Sequence, residues 1–196
     1  RILFISMSRV NLGLHQRDVS VVWDLVPHDF SILFHWLKET PKRISAIGRD
    51  CVQQGIPDVA FIHLQFPSGV VASLEVAWLA PSKLRRTAIV GERKMLVYDD
   101  NENIEKVKIY DQGVDFRDPE TFGEYQLSYR AGDIVSPRLP STEPLKIEME
   151  HFLDCIEKGS VPRTDGQSGL RVVRALEAAE KALKTGVAVE CAPERF

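Results

Sequence analysis

The run from Asp24 to about Lys38 does most to limit what this chain can become. At a 3.6-residue period Val22, Val26, Phe30, Leu33 and Leu37 line one side of a helix, and Leu25, Ile32 and Trp36 widen that side until most of the cylinder is apolar. Such a helix is expected to be largely buried. Asp24, His28, Ser31 and His35 fall at i, i+4, i+7 and i+11 and make one narrow polar stripe. A carboxylate and an imidazole one turn apart on a buried helix need a use or a partner. Two readings stand side by side: a catalytic pair, or a helix-end carboxylate that complements the dipole beside a hydrogen-bonded core histidine. Pro27 denies the Trp23 carbonyl its usual partner, so the helix is expected to start near Pro27 or to kink there. Thr40-Pro41 is expected to end it.

A chain of 196 residues suits a single domain with a proper core, and its 44% hydrophobic and 27% charged residues are those of an ordinary globular protein. A formal net charge of -3, with no basic arm or face, argues against a nucleic-acid partner. The densest basic spot, Lys83 with Arg85 and Arg86, reads as a solvated strand end. With neither a long apolar run nor a signal peptide, the chain is expected to be soluble, with no membrane partner. Three widely spaced cysteines, Cys51, Cys155 and Cys191, form no CxxC, which suits the cytoplasm and offers no zinc site. Glu148 and His151 make one ExxH, but a di-metal bundle needs that motif from two helices, so no metal is expected. The chain opens on Arg1 inside an apolar, β-prone run, and so reads as a piece of a longer protein.

Alternation predicts strands over residues 44–49, 59–66, 70–78, 87–90, 95–98 and 107–110, joined by turns at Pro67-Ser68-Gly69, Gly91-Glu92-Arg93-Lys94 and 99–103. Residues 10–19 read as a loop, with Asp18 or Ser20 as the cap of the helix that follows. His63 lies on the more polar side of its strand, yet Phe61, Val71 and Ala77 share that side, which suggests a subunit contact. Residues 112–142 show little periodicity, and of two roles for Tyr125, Tyr129 and Arg130, contacting a ligand or pinning that stretch to the sheet, pinning is preferred. Glu143-Pro144 opens an amphipathic helix that stops at Gly159, and a last helix runs from Asp165-Gly166 to Gly186, before a possible edge strand at 187–189. The fold class is therefore α+β: an open, mostly antiparallel sheet with helices packed on one face, a single domain over residues 1–196. The other face of the sheet predicts self-association.

Taken in order, Trp23-Asp24-Leu25-Val26-Pro27-His28-Asp29, Phe66-Pro67-Ser68-Gly69, the 78–85 segment read as a turn, Val90-Gly91, residues 95–99, Glu143-Pro144-Leu145 with Glu148 and Phe152, and Asp165-Gly166 resemble the C-terminal domain of the Gfo/Idh/MocA oxidoreductases. That resemblance spans essentially the whole chain. It implies the substrate-binding and oligomerisation half of a two-domain NAD(P)-dependent dehydrogenase that oxidises a hydroxyl of a sugar or cyclitol. His28 then takes the hydroxyl proton, and Asp24 orients the imidazole or holds a neighbouring hydroxyl. The segment around Asn11-Leu12-Gly13 and the 78–85 segment are most similar to the nucleotide-sugar branch, with Arg9, Asn11, Lys83 and Arg85 as substrate contacts. No GxGxxG follows a strand and no Glu-Lys-Pro is present, so NAD or NADP is expected on a preceding Rossmann domain rather than on this chain. The chain alone is expected to be inactive. The reading from another class is a noncatalytic assembly or ligand-binding module of the same fold.

Overall fold

The alternating stretches become hairpins in the computed structural model, which describes residues 1–116 and 127–194. The elements run β1 (Ile2–Leu12), α1 (Val21–Leu37), β2 (Arg43–Arg49), β3 (Val59–Gln65), β4 (Val71–Ala77), β5 (Leu79–Gly91), β6 (Met95–Asp99), β7 (Val107–Tyr110), β8 (Gly113–Phe116), β9 (Leu127–Arg130), β10 (Ile134–Val135), α2 (Pro144–Lys158), α3 (Gly166–Thr185) and β11 (Val189–Glu190). One open sheet has the order β10-β7-β6-β5-β1-β4-β3-β2-β11, and β8 pairs with β9 separately. Every pairing in the large sheet is antiparallel except β1 with β4, where Ile5 sits opposite Ala72 and Arg9 opposite Val76. The fold is the α+β open sheet expected of the residues.

Strand alternation decides which face is filled. Ile5 and Met7 of β1, Ala60, Ile62 and Leu64 of β3, and Ala72, Leu74 and Val76 of β4 are buried under α1, whose Val22, Val26, Phe30 and Leu33 complete the core. α1 lies over β3 and β4, and α3 packs on β2 and against α1 through Leu176 and Ala179. The opposite face leaves Phe4, Phe61, Val71 and Ile47 exposed. His63 is exposed on that face, between Ser45 and Ser73.

Several local expectations change. α1 starts at Val21 and passes through Pro27 unbroken, and it ends at Leu37 because Lys38 takes the left-handed conformation, φ 55°, before Thr40-Pro41 is reached. Ser20 stands at the helix N-cap, but its hydroxyl donates to Glu180 at 2.7 Å instead of capping. The 78–85 segment is not a turn. Residues 79–91 run as the long strand β5, held along β1 from Leu12↔Leu79 to Ile2↔Gly91. β1 likewise continues to Leu12, which shortens the loop expected over 10–19.

Part of the 112–142 stretch is ordered as the β8–β9 hairpin and β10. Arg130 does pin it, donating to the Asp111 carboxylate and the Arg93 carbonyl, while Tyr125 and the Tyr129 side chain lie outside the described residues. The greatest departure is α2. Its boundaries are those expected, with Gly159 in the left-handed cap, but among its residues only Cys155 is buried, and Leu145, Met149, Phe152, Leu153 and Ile156 face solvent. Its apolar stripe is not packed on the sheet.

Candidate substrate site

The polar stripe of α1 forms as the helical period requires, but it points outward. Asp24, His28 and His35 are exposed, which corrects the expectation of a buried carboxylate and imidazole pair. Asp24 sits in the first turn, where the free N–H groups of the helix favour an anion. Its Oδ2 accepts a 2.8 Å hydrogen bond from the indole N–H of Trp78. No hydrogen bond or ion pair joins Asp24 to His28 among the described residues, so the imidazole presents both nitrogens to whatever lies against this face.

Trp78 is 1% exposed and occupies the junction between β4 and β5. Its amide donates to the Asp58 carbonyl at 3.0 Å and its carbonyl accepts from Gly13 at 2.9 Å. A Cβ on Gly13 would lie 2.7 Å from the indole Cδ1, so only glycine lets the chain after β1 press this closely on the ring. Asn11 borders the same spot, its Oδ1 3.5 Å from that position. Asn11, Trp78, Asp24 and His28 thus gather where the parallel strands β1 and β4 end.

Arg9 and Arg85 meet elsewhere. They are direct cross-strand partners on β1 and β5, a like-charge pairing that needs compensation. For Arg9 the compensation is Asp29. Its Nε donates to both carboxylate oxygens at 3.1 Å and a second guanidinium nitrogen to Oδ1 at 2.7 Å, with side chains only 17% and 3% exposed. Arg85 lies 3.7 Å from Asp100, which also takes Lys106 at 3.2 Å and the Tyr98 hydroxyl at 2.8 Å. Burial and the bond to Asp100 push the Tyr98 phenol up to about 12. Donation from Tyr98, followed by Lys106 and Arg85, holds the Asp100 carboxyl below its ordinary value. Arg9, Arg85, Tyr98, Asp100 and Thr87 line a cavity of about 290 Å³, walled on the helix side by Asp29, Ile32 and Trp36.

Lys83 is exposed and joins neither group, its backbone carbonyl accepting from the Asn101 amide at 2.7 Å. On the other flank of α1 a cavity of about 530 Å³ is lined by Ser31, His35, Lys38, Arg163 and Ser168, so the stripe continues from His28 into it. Asp29, Tyr98 and Asp100 were not expected as site residues. Asp29 is adjacent to His28 in sequence and Asp100 lies in a polar turn, so proximity along the chain was the only available signal.

Cofactor fit can be judged from the same backbone. A dinucleotide needs a glycine-rich passage from strand to helix. The β1–α1 connection offers Gly13 alone, and its open side is filled by Trp78. The described residues therefore do not fit a nicotinamide dinucleotide by themselves. No group of three potential metal ligands occurs among them either.

Residues 13–97, which carry α1 and strands β2 to β5, match the family model described as the GFO/IDH/MocA C-terminal domain. Among solved structures, UDP-N-acetylglucosamine 3-dehydrogenase GnnA from Acidithiobacillus ferrooxidans superposes with a TM-score of 0.72 at 23% identity, over 93% of this chain and 55% of that one. Aldose-aldose oxidoreductase from Caulobacter crescentus gives 0.73 at 16% identity, over 97% and 56%. GenD2 from gentamicin A biosynthesis, in complex with NAD, gives 0.72 at 16%, over 97% and 56%. The chain spans just over half the length of these structures, and at such identities the likeness establishes the fold. A search of curated proteins returned no match. Asp24, His28 and Trp78 all lie inside the segment that matches the GFO/IDH/MocA C-terminal domain model, and the fold of the chain is the one these oxidoreductase structures share.

Proposed function

We propose that this chain is the substrate-binding and assembly half of an NAD(P)-dependent dehydrogenase that oxidises a hydroxyl of a sugar, cyclitol or nucleotide sugar in the cytoplasm. One observation carries the reading: Asp24 and His28 stand one turn apart on the solvent-facing edge of α1, with Asp24 fixed by the Trp78 indole and the imidazole free. A free imidazole beside an anchored carboxylate suits proton transfer, because a ring nitrogen can accept a proton from a hydroxyl and return it. His28 takes the hydroxyl proton. Asp24, whose remaining oxygen is not used by Trp78, accepts a neighbouring hydroxyl. The nicotinamide would supply the hydride acceptor from a dinucleotide-binding domain outside these residues.

Asn11, next to the Gly13 that presses on the Trp78 ring, is assigned to the sugar. Arg9, Arg85 and Lys83 are assigned to the more distal, anionic part of a nucleotide sugar, the class of compound for which GnnA is named. Arg85 and the cavity it lines with Tyr98 are the better-formed part of that assignment, since Arg9 already spends much of its guanidinium on Asp29. The exposed face of the sheet is assigned to self-association. The chain alone binds NAD(P) poorly and does not turn over.

The test is a His28→Ala substitution in a full-length polypeptide that carries the dinucleotide domain. Turnover is expected to fall about 10²–10⁴-fold, the usual contribution of a positioned general base, while the dissociation constant for the dinucleotide stays unchanged. Undiminished turnover would remove His28 from the chemistry and with it the ground for the assignment.

A further inference from the structure

Asp58 is fully buried just before β3, and its carboxylate accepts from the backbone amides of Cys51 and Val52 at 2.8–3.1 Å and from the Cys51 thiol. These donors are neutral, so a stronger donor beside the buried carboxylate would still be favourable. Its neighbour is His15, on the connection between β1 and α1. The Nε2 of His15 is buried, has no hydrogen-bond partner among the described residues and stands 4.0 Å from Asp58 Oδ2. A neutral Nε2 lone pair facing a carboxylate is repelled, whereas Nε2–H facing it is a donor about 1 Å short of a charge-assisted bond. The chemistry therefore selects the Nε2–H form aimed at Asp58.

The same ring meets Trp78 edge to face, with centroids 5.4 Å apart and an interplanar angle of 62°. Trp78 is gripped at its backbone by the Asp58 carbonyl and the Gly13 amide, but those bonds leave its side-chain torsions open. The surrounding core, the closely pressed Gly13 and the edge-on His15 ring together close them, and of these only His15 carries a polar group tied to Asp58. We propose that His15 is a positioning residue for Asp24: anchored by Asp58, its imidazole holds the Trp78 indole in the orientation that donates to the Asp24 carboxylate. A line of contacts, Asp58 to His15 to Trp78 to Asp24, then ties the strand end to the first turn of α1. The effect on turnover rests on the dehydrogenase reading above; the contact chain itself does not.

Exchange of the Trp78 indole hydrogen, resolved by ¹H–¹⁵N correlation from those of Trp23 and Trp36, reads the clamp without any activity. His15→Ala is expected to speed that exchange about tenfold, and His15→Phe, which keeps a ring but loses the donor, by a smaller factor of about three. The Trp36 resonance, remote from the clamp, reports that the fold is retained, and His15→Phe decides alone if the alanine variant does not fold. Unchanged Trp78 exchange overturns the proposal. In the full-length polypeptide the same variants are expected to lower kcat with little change in dinucleotide affinity. Faster exchange together with an unaltered protein that oxidises no sugar supports the clamp and sinks the dehydrogenase reading. Unchanged exchange in a working dehydrogenase does the reverse.

Discussion

The residues divide by whether water can compensate them. Asp29 is almost wholly out of its reach and Arg9 largely so, and removing the carboxylate leaves a mostly buried guanidinium without its counter-charge. Asp29→Ala is expected to destabilise the fold by about 3–5 kcal/mol, read as a lowered urea midpoint. Asp154→Ala, which breaks an exposed 2.7 Å pair with Lys158, is expected to cost about 0–1 kcal/mol. Tyr98 gives the pH dependence. Its folded value of about 12 lies above the ordinary 10, so the native state binds more protons between those limits. The stability it contributes is complete below pH 10 and is lost as pH rises through 12. Asp100→Asn is expected to bring the phenol part of the way back, since burial, the larger cause, remains; a spectrophotometric titration of tyrosinate absorbance reads the shift. Asp100 has the opposite sign, its contribution present above the ordinary carboxyl range and lost as acid protonates it.

At the scale of elements, α2 and α3 read alike as amphipathic helices and behave differently. Leu176 of α3 is 2% exposed and Leu176→Ala is expected to cost about 2–5 kcal/mol. Phe152 of α2 is 55% exposed, and Phe152→Ala is expected to move stability by less than about 0.5 kcal/mol in this chain; paired urea melts distinguish the two. The periodicity that locates α2 says that one side wants a partner, not where the partner is. The same limit explains which parts of the site were legible. Spacing alone put Asp24 and His28 on one edge of α1, and residue type made that edge a candidate. It could not show the edge facing outward, because Asp29, one residue on, is the carboxylate that turns in to Arg9 on another element. Trp78 and Asp24 are 54 positions apart and meet only through sheet topology. Local hairpins such as β6–β7 follow from alternation and turns, whereas the parallel β1–β4 pairing, which creates the strand ends where the site lies, joins segments with no local signal between them.

For the whole molecule, the unfilled face of the sheet has a pattern that goes beyond exposure. Across it runs a row of small residues, Ser45, Ser73, Ser6 and Ala88, interrupted by His63, with Gln65, Val71, Phe4 and Val90 in the row on one side and Ile47, Phe61, Glu75, Ser8 and Arg86 in the row on the other. Phe4, Val71 and Val90 flank it on one side, and Phe61 with Ile47 on the other, with Phe4 45%, Val71 48% and Phe61 43% exposed. Apolar side chains flank the row on β4, β1 and β5 on one side and on β2 and β3 on the other, while Glu75 and Arg86 offer charges of both signs, so the proposed self-association would pair this face with itself about a two-fold axis. A sheet of nine strands offers room for the roughly 800 Å² per partner that a stable interface buries. Val71→Glu places like charges opposite one another near such an axis. The variant is expected to be monomeric by sedimentation velocity at about 10 μM and the parent chain at least a dimer, because unpaired interfacial charge costs several kcal/mol. Its own folding changes little, since residue 71 is half exposed in the single chain. Phe152→Glu is the control: if that substitution dissociates the assembly and Val71→Glu does not, copies meet through α2 and the sheet face is not the interface. A parent chain that sediments as a monomer throughout removes the self-association altogether.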